Sequence, residues 1–407
     1  MPSSAIVNCR IVGPDRVISR GVLLVQQGRI VACGPEDAVN WPPDADVVDA
    51  AGGYVAPGFI DIHCHGGGGH YVHDAPSEVA DMHLRHGTTG LLATLVLLSQ
   101  AEMLAGMARI NAVRHPAILG LHLEGPYLSQ KFGARREMSR LPEPRDYKAL
   151  LEAAAGQLKI WTFAPELPGT DEFVDAVAPA GVVLSVGHSE ACARRIYELV
   201  PRGLRLGCHC MCATGVTPPP MGGVREVGVD EAVMVHDDIY AEVIPDALGI
   251  HVRPLMLRLL LKAKGVDRTI IITDAVRGAG DNPSRRIRAT ALGRDIFPWT
   301  ALTGMPDARY LNAAGREFLE VSEDVNVNEL HRLAGSKLTM DQALRNMMRH
   351  TGVGIVDACR MAALTPATLM GLQGEVGSLE PGKKANLVLL SEGLAVQRVM
   401  LAGAWVA

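Results

Sequence analysis

Histidine and acidic residues stand at the ends of several separate apolar runs in this chain of 407 residues. Imidazole and carboxylate groups that converge from different strands are typical of a site for a divalent metal ion. A single histidine at a strand end is more often a hydrogen-bonded structural residue, but six such coincidences favour a metal centre. The strand-end residues are His63, His65, Glu124, His188, His209 and Asp274.

The spacing of these residues adds detail to the prediction. His63 and His65 are two apart, so on a strand both side chains point to one side and can reach the same ion. Glu124 and the two later histidines together make the ligand set of a catalytic zinc or iron site with an open position for water. A carboxylate can bridge two ions, so Glu124 could be shared and Asp274 would be free to act as the base.

Eight apolar runs alternate with longer helical stretches, which is typical of βαβ units and a parallel sheet. Eight such units predict a closed (β/α)₈ barrel of the TIM type, although counting alone leaves a doubly wound sheet open. In a barrel the carboxyl ends of all strands meet on one face, where active sites lie. The runs cover residues 59–65, 89–96, 118–124, 159–166, 183–189, 205–210, 240–245 and 269–275.

Both ends of the chain have short strand patterns separated by Gly and Pro turns. Neither end has enough strands to bury a sheet face alone, so we expect them to pair as one small β-sandwich domain. The predicted domains are 1–56 with 375–407 for this β domain and 57–374 for the barrel. The expected strands are 5–12, 21–26, 29–33 and 46–49 at the start, and 374–379, 385–390, 396–401 and 404–406 at the end.

Two stretches inside the barrel region lack strand or helix patterns. Residues 213–227, with three consecutive prolines, predict a surface loop. Residues 276–333 are polar and long, and they predict an irregular insertion over one barrel face.

Composition excludes several classes of partner. Apolar residues make up 48% and charged residues 20% of the chain, and the formal net charge is −5. No basic field is present to attract nucleic acid or an anionic membrane. The chain starts without the pattern of a secretory signal and its eight cysteines form no dense framework, so we expect a cytoplasmic protein with reduced thiols.

The remaining cysteines and histidines have structural interpretations. Strand geometry would put Cys208, Cys210 and Cys212 together on the face opposite His209, where small buried hydrophobic residues are the expected role. We expect His122 to be structural or to support a ligand, and Asp61 to orient His63 or to be an ordinary polar strand residue. Loop or helix positions predict solvated or capping roles for His70, His73, His83, His86 and His115.

Two segments resemble a known family. Pro57-Gly-Phe-Ile-Asp61 before His63-Cys-His65, and Gly120-Leu-His-Leu-Glu-Gly-Pro126, are similar to the amidohydrolase superfamily and, within it, to the N-acetylglucosamine-6-phosphate deacetylases. The His-x-His pattern and the terminal Asp are general to the superfamily, whereas Leu-Glu-Gly-Pro and Ile250-His-Val252 are specific to the deacetylases. Further matches such as Gly187-His-Ser189, Thr273-Asp-Ala275 and Gly382-Lys-Lys-Ala-Asn386 extend the resemblance over nearly the whole chain.

The resemblance implies a role for each matching residue. Glu124, His188 and His209 would bind the main metal ion, and His63 and His65 would hold a second ion in members that keep two. Asp274 would be the acid and base as well as a metal neighbour. His251 would contact the sugar and polarise the carbonyl, and Arg225 would pair with the phosphate across a homodimer interface. The sugar pocket would be lined by Ala134, Ala213, Leu333, Ala334 and Gly335.

Three departures from the family pattern bear on the substrate. Where the family has His-x-x-Asn-Ala-Met, this chain has His209-Cys-Met-Cys212-Ala-Thr, which removes an amide from the pocket. Where the family has Gly-Ala-His, this chain has Gly-Ala-Arg135, which keeps a cationic donor with different geometry. The substrate histidine follows Asp-Gly in the family, whereas Asp246-Ala-Leu-Gly-Ile precedes His251 here.

The resemblance implies hydrolysis of the N-acetyl group of an amino-sugar phosphate, with one or two divalent ions, zinc or iron first and manganese or cobalt next. Another amidohydrolase activity, on N-acyl amino acids or cyclic amides, is the first alternative. Many cyclic amidases use a modified lysine at the end of the fourth strand, and Lys159 stands at the beginning of that run. A barrel that has lost catalysis and serves as a binding scaffold is the second alternative.

Overall fold

The computed structural model describes residues 3–96, 98–132, 136–215, 226–280, 288–290, 310–313, 316–320, 325–327 and 333–406. The first strands are β1 (Ser4–Val12), β2 (Val17–Gln26), β3 (Arg29–Pro35), β4 (Asp46–Asp49) and β5 (Tyr54–Pro57). Next come β6 (Phe59–Cys64), β7 (Gly66–Gly67), β8 (His70–Tyr71), β9 (Thr88–Val96), β10 (Ile118–Glu124), β11 (Leu158–Phe163), β12 (Val183–Val186), β13 (Leu204–Gly207), β14 (Tyr240–Val243) and β15 (Thr269–Ile271). The last are β16 (Arg288–Thr290), β17 (Tyr310–Ala313), β18 (Arg316–Glu320), β19 (Val325–Val327), β20 (Leu333–Ser336), β21 (Leu387–Leu390), β22 (Val396–Leu401) and β23 (Ala404–Trp405).

The helices mostly follow the strands of the central region and pack against them, as α1 and α2 do on β9 and α7 does on β14. Their starts carry recognisable signals: at α2 the Ser99 hydroxyl accepts from the Glu102 N–H, and the Glu102 carboxylate accepts from the Ser99 N–H. The helices are α1 (Pro76–Arg85), α2 (Gln100–Ala112), α3 (Pro144–Ala153), α4 (Thr170–Val177), α5 (Ala193–Leu199), α6 (Val229–Val235), α7 (Pro254–Lys264), α8 (Met340–Thr351), α9 (Ile355–Cys359) and α10 (Thr365–Leu369).

Eight parallel strands form the central sheet in the order of the chain, from β6 through β9 to β15. The first and last strands meet at a seam, where Cys64 and Ala275 form a parallel bridge. The His65 N–H donates to the Ala275 carbonyl at 2.8 Å, and the Asp274 N–H donates to the His63 carbonyl at 2.9 Å. This closure confirms the predicted (β/α)₈ barrel and excludes the doubly wound sheet.

Each of the eight predicted runs overlaps one barrel strand, and the run 118–124 has the bounds of β10. The strands β9, β11 and β13 begin one residue before their runs. The strands β11 to β15 end before their runs do. For β12, β13 and β15 the backbone beyond the strand shows a reason, because His188, His209 and Asp274 have φ angles of +48°, +24° and +50°. A residue with positive φ cannot continue an extended strand.

Both chain ends contribute to a second sheet, ordered β23-β22-β21-β5-β1-β2-β3 with β4 beside β1. This sheet encloses its own core, to which Ile6, Leu23, Ile30 and Leu387 all belong. The prediction that the two ends pair as one small β domain is therefore confirmed, while the boundaries at residues 56 and 375 stay predictions.

One predicted terminal strand, residues 374–379, is wrong. The segment consists of turns and bends. Gly377 has a φ of +96°, and a Cβ there would come within 2.8 Å of the Ala367 side chain on α10. Close packing of this glycine against a helix replaces the extended conformation that its apolar neighbours suggested.

The described parts of the predicted insertion contain short strands rather than irregular chain. β16, β18 and β17 form a three-stranded antiparallel sheet, and β19 pairs with β20. Ser336 at the end of β20 bridges to Ala275, which returns the chain to the barrel seam. Within the described residues, the structure has no helix with the length and apolar character to cross a membrane.

Candidate metal centre

The six strand-end residues converge on the Glu124 carboxylate. One oxygen, Oε2, lies 3.4 Å from His63 Nε2 and 3.1 Å from His65 Nε2. The other, Oε1, lies 2.6 Å from His188 Nε2 and 2.9 Å from His209 Nε2. All five side chains are buried. The prediction that these chain-distant residues meet is borne out by these distances.

Asp274 completes one side of the cluster. Its Oδ1 lies 3.0 Å from His65 Nε2 and 3.7 Å from His63 Nε2. We call His63, His65 and Asp274 the seam half, since they flank the closure between β6 and β15. His188 and His209, in the turns after β12 and β13, form the turn half, and Glu124 contacts both halves.

The turn half sits on strained backbone. His188 and His209 both have positive φ, a conformation that residues other than glycine adopt rarely. Such strain persists only where the surroundings enforce it, and it concentrates at functional sites. Here it turns both rings inward, and their Nε2 atoms lie 3.1 Å apart.

The arrangement passes a simple test for a metal site. Ligand atoms about 2.0 to 2.1 Å from a tetrahedral ion lie roughly 3.4 Å from one another, and the contacts around Glu124 span a similar range. His63 Nε2, which faces Glu124 and Asp274, has no hydrogen-bond partner among the described residues. Buried polar atoms are normally paired, so an unpaired nitrogen that faces two carboxylates fits a ligand. One ligand atom from each of His63, His65, Glu124 and Asp274 lies within 4.8 Å of the others.

The electrostatics keep both carboxylates charged. Burial would raise the pKa of Glu124, but the adjacent His63 and His188 rings hold that pKa well below its ordinary value. Burial would also raise the pKa of Asp274, and the hydrogen bond from His65 reverses the effect and lowers it. A charged carboxylate is the form that binds a cation or accepts a proton.

Imidazoles in the cluster respond to the same negative charge. Burial lowers the pKa of His65, but Asp274 and Glu124 outweigh burial and raise that pKa to about 9. For His188 burial prevails and the pKa is lowered. A field that draws protons onto buried rings also draws a divalent cation, which displaces those protons on binding.

The outward nitrogens of three rings are held by other groups. His65 Nδ1 lies 3.1 Å from the Thr94 carbonyl, and His209 Nδ1 lies 3.2 Å from the Cys212 carbonyl. His63 Nδ1 lies 3.1 Å from the carboxylate of Glu242. Glu242 is a functional candidate that the sequence prediction missed, and its signal was a lone acidic residue inside the apolar run 240–245.

His251 is anchored by Asp246 despite the longer spacing between them. The Asp246 carboxylate accepts hydrogen bonds from the His251 N–H at 2.8 Å and from Nδ1 at 3.1 Å, and also from the N–H groups of Leu248 and Ile250. Burial lowers the pKa of His251, but Asp246 outweighs burial and raises it. The longer spacing therefore changes the loop without releasing the histidine.

The predicted pocket segment Leu333–Gly335 reaches the same place. His251 Nε2 lies 3.4 Å from the Gly335 carbonyl. A Cβ at Gly335, whose φ is +67°, would meet the Asp274 carbonyl oxygen at 2.7 Å, so only glycine permits this approach. The Ser336 N–H donates to the Asp274 carbonyl at 2.7 Å and continues the contact.

Other predicted substrate residues divide into two groups. Cys212 and Ala213 follow His209 directly, and this turn is held by Asp230, which accepts from the Met211 N–H and the Thr214 hydroxyl. Burial raises the pKa of Cys212 to about 11, so it presents a neutral thiol. Ala134, Arg135, Arg225 and most of the predicted loop 213–227 lie outside the described residues.

The cysteine prediction needs a correction. β13 ends at Gly207, so residues beyond it do not alternate as on a strand. Cys208 Sγ lies 3.7 Å from His63 Nδ1, whereas Cys210 Sγ contacts the Gly207 carbonyl. Cys208 thus borders the cluster instead of sharing a face with the other thiols.

One of the five other histidines was also assigned wrongly. His83 is fully buried, with Nε2 3.0 Å from the Gly66 carbonyl and 3.2 Å from Cys64 Sγ. Helix α1 packs against β7, so the ring lies beneath the seam rather than in solvent. The remaining four are exposed or half-buried.

His122 and Asp61 serve the barrel. His122 is buried with Nδ1 2.9 Å from the Ile62 carbonyl and Nε2 2.8 Å from the Thr162 hydroxyl, as the structural interpretation predicted. Asp61 accepts from the Thr273 hydroxyl and from the His63 N–H, so it ties β6 to the chain after β15 rather than orienting the His63 ring.

Comparisons with known proteins agree with this geometry. A profile of the Amidohydrolase family matches residues 300–406. An N-acetylglucosamine-6-phosphate deacetylase of Lysinibacillus sphaericus is 30% identical over 370 residues, which are 88% of this chain and 87% of the relative. An N-acetylgalactosamine-6-phosphate deacetylase of Escherichia coli is 31% identical over 394 residues, which are 94% of this chain and 93% of that protein.

Solved structures give the same result. The N-acetylglucosamine-6-phosphate deacetylase of Pasteurella multocida aligns with a TM-score of 0.81 at 28% identity over 99% of both chains. A mutant of the Mycobacterium smegmatis enzyme, in complex with N-acetyl-D-glucosamine-6-phosphate, aligns with a TM-score of 0.81 at 29% identity over all of both chains. The chain belongs to the N-acetylglucosamine-6-phosphate deacetylase family of the amidohydrolases, which are hydrolases of amide bonds.

Proposed function

We propose that this protein is a metal-dependent deacetylase that hydrolyses N-acetylglucosamine 6-phosphate to glucosamine 6-phosphate and acetate. The observation that carries the proposal is the convergence of four imidazoles on Glu124, with Asp274 beside them and His251 next to Gly335. Full-length relatives named as deacetylases of amino-sugar phosphates support the substrate class.

The proposed ligands are the turn half with Glu124 for a main ion, and the seam half with the same carboxylate for a second ion. Zinc or iron is the proposed metal, since imidazole and carboxylate suit both, and manganese or cobalt would be accommodated by the same groups. A divalent cation bound there would polarise the amide carbonyl and lower the pKa of a water molecule toward neutrality.

Asp274 is the proposed acid and base. Its lowered pKa keeps it ready to accept a proton from the attacking water, and it would then return that proton to the departing amine nitrogen. The amine leaves only when protonated, so both transfers are needed. The contact with His65 Nε2 holds the carboxylate at the cluster during both.

His251 is proposed to stabilise the developing oxyanion. Asp246 holds Nδ1 and favours the protonated ring, which leaves Nε2–H as a donor on the side of Gly335 and Asp274. A preorganised donor of this kind acts where charge develops in the transition state.

The alternative amidohydrolase activities fit less well. Lys159 is the second residue of β11, at the end of the barrel opposite the cluster, so it cannot supply the modified lysine of many cyclic amidases. An inactive scaffold would not need the six converging residues. Metal content separates the scaffold from the enzyme, since a scaffold should bind metal in substoichiometric amounts.

An activity assay decides which amino-sugar phosphate is the substrate. Relatives of similar identity are named for the glucosamine and the galactosamine compounds. Acetate release is measured from N-acetylglucosamine 6-phosphate, its galactosamine isomer and the unphosphorylated sugar, with metal added back. Turnover of the first alone supports the proposal; turnover of the galactosamine isomer alone reassigns the sugar, and turnover of none by metal-loaded protein refutes it.

A homodimer in the cytoplasm belongs to the same proposal. Arg225 would reach the phosphate from the partner subunit, as the family resemblance implies. Sedimentation of the purified protein tests the dimer, and Arg225→Ala should raise KM for the phosphorylated sugar without changing metal content.

A further inference from the structure

Glu242 is a buried carboxylate inside the barrel. It lies on β14 in an otherwise apolar stretch, and its side chain has no exposure to solvent. A buried charge is costly unless hydrogen-bonded groups compensate it. Its contacts therefore show what stabilises it and what it stabilises in turn.

A single oxygen of Glu242 contacts both halves of the cluster. Oε2 lies 3.1 Å from His63 Nδ1 in the seam half. The same Oε2 accepts a hydrogen bond of 3.2 Å from the backbone N–H of His209 in the turn half. Oε1 has no hydrogen-bond partner among the described residues, so the carboxylate makes both of these contacts through Oε2.

The first contact determines which nitrogen of His63 carries the proton. A carboxylate at Nδ1 requires an N–H there, which leaves the Nε2 lone pair directed at Glu124 and Asp274. Nε2 is the atom that lacks a hydrogen-bond partner. The second contact secures the backbone of His209 at the point where its φ of +24° turns the chain out of β13.

Glu242 is not itself a ligand of an additional site. It lies within 4.8 Å of His63 and His122, a grouping that could hold an ion. Both nitrogens of His122 are already bonded to the Ile62 carbonyl and the Thr162 hydroxyl. His63 turns its Nδ1, not its free Nε2, toward Glu242.

We propose that Glu242 is a positioning residue that sets the tautomer of His63 and the backbone of His209, and so adjusts both halves of the candidate metal centre through one oxygen. The inference rests on the proposed function, because it assumes that the cluster binds a divalent ion. It predicts that Glu242 acts on metal affinity as well as on the stability of the fold.

Two substitutions separate hydrogen bonding from charge. Glu242→Gln keeps a carbonyl oxygen that can accept from both His63 and His209, while its amide takes the place of Oε1. Glu242→Leu removes both acceptors. Asp341→Asn is the matched control, because Asp341 is another buried carboxylate that contacts a histidine, His86 at 3.2 Å, outside the cluster.

The experiment measures zinc affinity and stoichiometry of the full-length variants by competition with a chelator, with kcat and KM in parallel. We expect Glu242→Leu to weaken zinc binding about 10- to 100-fold, Glu242→Gln to weaken it less, and Asp341→Asn to match wild type. If Glu242→Leu does not fold, Glu242→Gln is compared with Asp341→Asn. Weaker zinc binding by Glu242→Gln than by Asp341→Asn then supports the positioning role, and equal zinc binding overturns it.

Different results would overturn the positioning role of Glu242 and the proposed function. Wild-type affinity and unchanged kcat in the folded Glu242 variants would overturn the positioning role alone. Wild-type protein that binds no zinc, iron, manganese or cobalt would overturn the proposed function, and the inference with it.

Discussion

The two halves of the candidate metal centre use the same kinds of side chain but differ in how these side chains are held. In the seam half, His63 lies on β6 and His65 directly follows it, and Glu242 and the Thr94 carbonyl contact their outward nitrogens. In the turn half, His188 and His209 lie beyond their strands with positive φ, and His188 Nδ1 has no hydrogen-bond partner among the described residues. The outward nitrogens of both seam-half rings are held from other strands, whereas in the turn half only that of His209 is held, by the Cys212 carbonyl. Both turn-half histidines have positive φ, a conformation that Asp274 of the seam half shares.

Substitution of the shared carboxylate should have the largest effect, because it removes the one group common to both halves. We expect Glu124→Gln to reduce bound metal to a trace and to lower kcat/KM by about 10⁴-fold, which corresponds to a loss of roughly 5 kcal/mol. Metal analysis and acetate release check this outcome. A variant that keeps full metal on either half would break the comparison, since that half would not depend on Glu124.

Asp274→Asn should affect chemistry more than binding. The amide keeps an oxygen beside His65 but cannot accept and return a proton, so we expect kcat to fall about 10²- to 10⁴-fold while the main ion and the fold are retained. Metal analysis, circular dichroism and steady-state kinetics are measured together. Retained activity would remove Asp274 from the mechanism.

The stability of single histidine variants compares the halves directly. His63→Ala leaves the buried Glu242 with only the His209 N–H as a hydrogen-bond partner, whereas His188→Ala removes a ring whose Nδ1 is unpaired and keeps a non-glycine residue at the same positive φ. We expect the His63 variant to be less stable by about 3 kcal/mol, measured by urea unfolding with chelator present. Equal stabilities, or a less stable His188 variant, would contradict the difference described between the two halves.

The ion pair of His251 with Asp246 should make the free energy of unfolding depend on pH. The folded pKa of His251 is raised above 6.5, so the stability from its charged pair with Asp246 is fully present below pH 6.5 and is lost as pH rises through the folded value. Wild type should therefore exceed His251→Gln in free energy of unfolding by more at pH 6 than at pH 9. Urea unfolding at both pH values, with chelator, measures this gap, and a gap that grows with pH would refute the pairing.

Much of the site could be predicted because its ligands have a local signature. A polar residue at the end of an apolar run is visible in the sequence, and barrel topology brings all such ends to one face. His63, His65, Glu124, His188, His209 and Asp274 were found in this way. The pairing of the chain ends followed from the same reasoning, since neither end could bury a sheet alone.

Side-chain contacts away from the strand ends were beyond sequence reasoning. Glu242 was one acidic residue in an apolar run until the barrel placed it 3.1 Å from His63, 179 residues away. His83 was expected to be solvated or capping, but it is a buried residue of α1, which packs against β7. Cys208 borders the cluster because β13 ends at Gly207. The sequence by itself determined which residues meet on the barrel face. The direction of each ring nitrogen, and the group on its far side, were decided only by the tertiary structure, because they depend on strands that are adjacent in space and remote along the chain.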